Sequence, residues 1–553
     1  MKNHFVWLSA LMAGALLLPA AAQNSSAPDD WTSWGYDQQR TGWNKGETIL
    51  TPQNVAHLGL QWSAKLSTPV DVNVLSTVTA PVIVQDADVA GGKRNLLFLL
   101  GADDTLFALD ADSGKVLWQK TFANPLKPQQ AADWLCPNTA NDTPVIDKAR
   151  GIVFFIASDG KLRGLNLADG AERLTPIDMV APFTRAWSLN LIDNVVYTTS
   201  GRACGEVLDK NSAMYDAAVS VPRGRVTVLI DPSAVTAVNV KDLAHPQVTR
   251  FYTSGARPAA PWGRGGLSAG PNGSVILETS DGLYDPAAGN YSESILKLSG
   301  QAARLVDSYT PQTWRFNLAH DLSGSATPVV FDFGGKTLIA TAQKEGILRL
   351  LDAGSLGGAN HMTPLYQSPR LGNDIAQGTD PSSGIWGGIA TYQTNDGKRF
   401  LYFPMWGPPS AQAPAFPQNN GAIANGSIMA FQVTADGGKI AAAPAWTSPD
   451  LIMPDPPVVA NGVVYAFSTG GQRMQNFLHP GEPRMAHSVS AVMRSKPVSN
   501  LTVYALDAQT GKPLWSSKNM ITDWVHFSEP VVALGKVFVV THDAHVYAFG
   551  LKR

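Results

Sequence analysis

Cys136 and Cys204 are the only thiols in the chain. Neither belongs to a CxxC pair, which removes zinc-ribbon and thioredoxin chemistry, and no CxxCH occurs, so no covalently attached haem is encoded. What remains is a disulfide between the two or a pair of free thiols, and an oxidising compartment favours the disulfide. The stretch THDAH offers His542, Asp543 and His545, donor types that suit a transition metal, although a polar turn between strands has the same composition. Neither group fixes a reaction; that depends on which elements bring such residues together.

Lys and Arg total 42 against 44 Asp and Glu, with no basic run, so the long-range field that draws proteins to nucleic acid is missing. The N-terminal stretch MKNHFVWLSALMAGALLLPAAAQ has Lys2, an apolar run from Phe5 to Leu18, then Ala20, Ala21 and Ala22. This is the pattern of a secretory signal peptide over residues 1–22, which predicts a periplasmic or secreted protein. No later stretch is apolar for long enough to predict a membrane span. With 50 Gly and 38 Pro and few long helical patterns, the mature chain reads as many short strands and tight turns.

Those strands repeat. FALD at Phe107 returns as GLNL at Gly164, VLID at Val228, ILKL at Ile295, RLLD at Arg349, MAFQ at Met429, YALD at Tyr504 and YAFG at Tyr547, which makes eight copies. Two apolar runs precede each copy, as in TPVID then GIVFFIA. Each unit therefore predicts an inner strand, a second strand, the marker strand and an outer strand. In DADSGKVLW and DAQTGKPLW, Asp110 and Asp507 can cap the turn, Gly114 and Gly511 can take positive φ, and Trp118 and Trp515 can cover the seam to the next sheet. The last unit lacks an outer strand, while GLQWSAKL, with Trp62, stands unpaired before the first. Pairing the two hides two sheet edges. The expectation is an all-β, eight-bladed propeller of four-stranded antiparallel blades over residues 60–553, closed by an N-terminal strand, with residues 23–59 as an arm.

In such a ring, the segments leading into the inner strands and the second-to-marker loops share one face. The long loops fall there: Ser200 to Arg223, Trp406 to Asn425 and Thr469 to Ser499. Cys136 and Cys204 belong to that face, and Trp187, Trp386 and His526 can line its mouth or pack around the axis.

FALDADSGKVLW and YALDAQTGKPLW resemble the repeat of the pyrroloquinoline quinone (PQQ) propellers, and WTSWGYDQQRTGWNKGETILTPQNVAHLGLQW resembles the opening of the quinoprotein alcohol dehydrogenases. The likeness is nearest to the polyvinyl-alcohol-dehydrogenase-like branch, without its haem segment. It implies eight blades, in agreement with the repeat count. It also implies Glu206 and Asp281 as ligands of a calcium ion, Trp262 as the floor beneath the quinone, and Lys344 reaching the quinone oxygens. Each has a plainer reading: a loop acid, a seam tryptophan, a turn former before Gly282, and a surface charge beside Glu345. Where the family carries a catalytic Asp in a GDN-like segment, this chain reads DPAAGNYSES, leaving Asp285 as the nearest candidate base or a turn former before Pro286. The family's vicinal cysteine pair is absent. The resemblance implies an exported oxidoreductase using PQQ and calcium to oxidise a small or polymeric alcohol, with a separate electron acceptor. The alternative is a non-catalytic propeller binding a protein or polymer in the cell envelope.

Overall fold

The computed structural model describes residue 1 and residues 29–552, apart from 71–73, 75, 133–135, 140–141, 202–204, 209, 211–213, 216–217, 224–225, 255–259, 375–382, 473–490 and 495. Eight small antiparallel sheets stand in a ring, an eight-bladed β-propeller. Blade 1 runs outward through Val82–Val89, Gly92–Leu100, Thr105–Asp110 and Val116–Thr121. Blade 8 is Val531–Ala533, Lys536–Val540 and His545–Leu551, and Leu58–Lys65 from the other end of the chain supplies its outer strand. Closure is thus by the N-terminal strand, as the unpaired GLQWSAKL requires.

The marker turn shows why these residues form this unit. Asp110 Oδ1 accepts from Asp112 N at 3.1 Å and Ser113 N at 2.9 Å, and Asp507 Oδ1 does the same for Gln509 and Thr510. Gly114 sits at φ 73° and Gly511 at φ 69°, a region that costs other residues strain. They also face the seam: a Cβ on Gly114 would lie 2.4 Å from the Trp62 ring, and one on Gly511 2.3 Å from Trp446. Each seam tryptophan then donates its indole N–H into the following blade, Trp62 to Ala111 O, Trp118 to Leu167 O, Trp446 to Ala508 O and Trp515 to Leu58 O, at 3.0–3.2 Å. An apolar body with a satisfied polar tip suits this position.

Blade 3 corrects one expectation. Its marker strand is Ala234–Asn239, paired with Val195–Ser200 and Gln247–Tyr252. VLID at Val228 instead ends the second strand of a separate hairpin, Val219–Arg223 with Val226–Ile230, inside the connection that runs on to Ser233. The loop is therefore longer than the span ending at Arg223.

The arm laces the ring from within. Trp31 exchanges backbone hydrogen bonds with Ile83 of blade 1, and Ile146 N of blade 2 donates to Thr32 O. Gln38 reaches Leu191 O of blade 3, and its carbonyl accepts from Ala269 N of blade 4. The carbonyls of Gln39, Thr41 and Gly42 accept from Val330, Thr391 and Val459 of blades 5, 6 and 7, and Asn44 Nδ2 donates to Val532 O of blade 8. Residues 31–44 thus touch the inner strand of every blade, in order. Farther along, Glu47 Oε2 accepts from Gly535 N and Asn461 donates to Leu50 O, both at inner turns opposite the loop face.

Candidate functional site

Short pairings ahead of the inner strands place aromatic side chains at the mouth. In blade 4, Ala260 and Pro261 pair with Ser280 and Thr279 before the inner strand Ser268–Ala269 begins, and Trp262 follows directly. In blade 6, Gly384–Ile385 pairs with Met405 and Trp406, and the next residue, Trp386, stacks on Trp406 at 4.4 Å. A bridge between Ala186 and Ser200 does the same for Trp187 in blade 3. Trp187 meets Trp262 edge to face at 4.9 Å and donates to Pro261 O at 2.7 Å.

Buried cations lie against these rings. Arg185 Cζ is 4.8 Å from the Trp187 ring, 5.0 Å from Trp262 and 5.5 Å from Phe527, so one guanidinium spans blades 3, 4 and 8. Arg264, 3 % exposed, donates Nε to Phe527 O at 2.9 Å, and its Nη1 has no acceptor among the described residues. Burial drags its pKa down to about 10 and that of Arg494 to about 9. Lys344, 6 % exposed, stands 3.0 Å from Asp321 Oδ1 and 4.8 Å from the Trp386 ring centre. Cation–π contact strengthens when water is excluded, as it is here.

Carboxyl groups crowd the blade 4 and 5 side. Asp321 takes φ 58° just after helix α1 (Trp314–His320), and the Gly324–Gln343 bridge brings it beside Lys344. Glu293 accepts from Ser323 Oγ at 2.6 Å; burial pushes its pKa up to about 8, and nearby Asp281 adds to the rise. Burial likewise holds Glu278 well above the carboxyl range. Glu278 Oε1 and Glu293 Oε2 lack partners among the described residues, which protonation of buried acids accommodates.

The implied residues divide among these surroundings. Lys344 and Trp262 both join the aromatic mouth. Asp281 holds the turn before Gly282 at φ 53° and faces Glu293. Glu206 is buried on blade 3's long loop, where its Oε2 accepts from Asp231 N at 3.1 Å. Asp285 behaves as a turn former: it is exposed and accepts from Ala288 N at 3.3 Å, at the lip of an open cleft lined by Tyr284, Trp314 and Arg315. The carboxylate paired with Lys344 is Asp321, for which the sequence offered only an acid in the segment leading into blade 5. Cys136 is disulfide-bonded, and Cys204 lies outside the described residues. His542 Nε2 meets Val74 O at 2.9 Å while His545 pairs with Asp543 at 2.7 Å, so the THDAH side chains part. Among the described residues, no three His, Cys, Asp or Glu gather as a metal-holding group.

The PQQ-repeat family model described as Outer membrane protein assembly factor BamB matches residues 57–242 and 460–552, just over half of the chain. Quinohemoprotein alcohol dehydrogenase ADH-IIG of Pseudomonas putida is 29 % identical over 171 residues, 31 % of this chain and 21 % of that protein. Quinoprotein glucose dehydrogenase of Escherichia coli is 25 % identical over 370 residues, 60 % of this chain and 44 % of that one. The chain therefore spans less than half the length of these curated relatives. A europium-containing methanol dehydrogenase superposes with a TM-score of 0.59 at 13 % identity, covering 95 % of this chain and 98 % of that one; at that identity the likeness speaks for the fold. With eight repeats closed into one ring and the family model matched over half its length, the chain belongs to the PQQ-repeat propeller family.

Proposed function

We propose that the protein is an exported quinoprotein-type oxidoreductase that binds PQQ at the loop-face mouth and oxidises an alcohol, passing electrons to a separate acceptor. The observation that carries this reading is the set of buried cations against aromatic rings, above all Arg264, whose Nη1 has no acceptor among the described residues. A planar, polycarboxylate ligand offers an acceptor for Arg264 Nη1 and a flat face for the indoles. The described residues fit PQQ in this sense. When bound, PQQ supplies a two-electron, hydride-accepting quinone.

The chain's own residues then have definable parts. Lys344, held by Asp321, is a buried donor for a quinone oxygen. Trp262 offers an indole face, one side of which Arg185 already covers, and Arg185 and Arg264 meet carboxylates. A cation drawn to Glu206 and Asp281 needs six or more oxygens. These two carboxylates alone do not make that set.

The relatives' names support the oxidoreductase reading. The description of the matched family model supports a partner-binding propeller instead, but such a role gives no use to cations buried in the mouth. The test is to titrate the purified apoprotein with PQQ, with and without calcium, and follow quinone absorbance and alcohol-dependent dye reduction. Uptake with dye reduction is expected; a folded protein that takes up no PQQ overturns the reading.

A further inference from the structure

One further pair on the loop face is fully assembled for chemistry. His526 leads into blade 8 and Asp455 into blade 7. His526 Nδ1 lies 2.8 Å from Asp455 Oδ1, and Asp455 Oδ2 accepts from Ser528 N at 3.1 Å, so both carboxylate oxygens are fixed. The imidazole is held between Phe527, with ring centres 4.0 Å apart, and Trp406, at 5.3 Å. It is 1 % exposed, and Nε2 has no hydrogen-bond partner among the described residues.

A carboxylate at Nδ1 makes that nitrogen the donor and leaves the lone pair on Nε2. Leaving a buried polar atom unpaired costs about 1–3 kcal/mol, and a hydroxyl donating to Nε2 would remove that cost. Among the described residues, the charged groups acting on the ring are Asp455 from blade 7, Arg494 at the end of the short helix α2 (Ala491–Arg494), and Arg264 from the segment leading into blade 4. Burial, aided by the two arginines, outweighs Asp455 and holds the imidazole below its ordinary pKa, in the neutral form that can accept a proton. The dyad is continuous with the mouth, since Phe527 also meets Arg185 and Arg264, and Trp406 stacks on Trp386.

We propose that His526, oriented by Asp455, accepts the hydroxyl proton of an alcohol oxidised in this mouth, an inference that rests on the oxidoreductase reading above. The O–H bond breaks and its proton passes to Nε2. The adjacent C–H bond breaks and its electron pair leaves with the hydrogen as hydride to an ortho-quinone acceptor. The carbon–oxygen double bond forms, so the alcohol is oxidised and the quinone reduced by two electrons each. Asp455 is then a positioning residue.

The experiment compares the wild-type protein with His526→Gln and Asp455→Asn. It measures PQQ affinity, kcat/KM against pH with 1-butanol and an artificial dye, and the 15N resonances of His526 in the apoprotein. His526→Gln is expected to bind PQQ within about threefold of wild type, to lose about 10²–10⁴ in kcat/KM, and to lose the acidic limb of the pH profile. Asp455→Asn should move that limb to lower pH, because the carboxylate that favours protonation is gone. The resonances should report a neutral ring carrying its proton on Nδ1 near neutrality. Undiminished activity in His526→Gln, an unmoved limb in Asp455→Asn, or an Nε2-protonated ring each overturns the proposal while leaving the oxidoreductase reading intact. A wild-type protein that takes up no PQQ overturns both. If His526→Gln fails to fold, the limb shift and the resonances decide.

Discussion

Lys344 is held from two sides, by Asp321 at 3.0 Å and by the face of Trp386, so its ammonium is fixed before any ligand arrives. Removing a buried charge-assisted hydrogen bond costs about 1.5–3 kcal/mol, or roughly 10–100-fold in affinity. Lys344→Ala should therefore weaken PQQ binding by that factor in an equilibrium fluorescence titration, with the far-UV spectrum unchanged; equal binding would remove Lys344 from the site. Asp321→Asn, which removes one carboxylate charge beside the ammonium, should weaken binding less than Lys344→Ala does in the same titration. At this scale the sequence was partly legible. Lys344 and Trp262 stand out because the family motif surrounds them. Asp321, Arg185 and Asp455 do not, because they lie in segments leading into the blades, where no repeat marks a position; a bridge within blade 5 sets Asp321 beside Lys344, and packing of neighbouring blades sets Arg185 against Trp262 and Asp455 against His526.

The four-stranded blade is held by the marker turn and its seam tryptophan, and here the sequence spoke clearly, since Asp110, Gly114 and Trp118 each answer one local physical demand. Trp446 is fully buried and donates into blade 7. Trp446→Ala should cost about 3–5 kcal/mol, read from the urea midpoint at unchanged slope; a loss under about 1 kcal/mol would show that the seam is not held this way. Blade 3 marks the limit of such pattern reading. VLID has the composition of a marker followed by its aspartate, yet it closes a hairpin on the loop, while the true marker AVTAVN lacks the motif. Strand composition reports an apolar, β-branched run, and only pairing with Val195–Ser200 tells which run belongs to the blade.

For the molecule as a whole, the arm is the part least visible beforehand, because it works mostly through backbone hydrogen bonds, with Gln38 and Asn44 the side chains that add to them. Residues 31–44 bond to all eight inner strands. At about 1 kcal/mol per bond, their loss is comparable to the total stability of a domain. Deleting residues 29–44 should yield a chain without a cooperative thermal transition by calorimetry; a truncated protein that unfolds like the intact one would contradict this. Beneath the mouth, Glu529 accepts from Gly35 N and Trp31 Nε1, and burial pushes its pKa up to about 8, as it does for Glu293. The folded state thus keeps protons that the unfolded chain releases, so stability should fall as pH rises from the ordinary carboxyl range toward about 8. Glu529→Gln should flatten that decline in apoprotein melting temperature, and an unchanged slope would assign it elsewhere. Ring closure gathers buried cations and indoles into one mouth, and a planar polyanion is its proposed occupant. Titrating the folded apoprotein with PQQ against an Arg264→Ala variant tests it most directly. Saturable uptake of one equivalent that quenches tryptophan fluorescence is expected, with affinity falling at least about tenfold in the variant. No uptake, or uptake indifferent to Arg264, would contradict it.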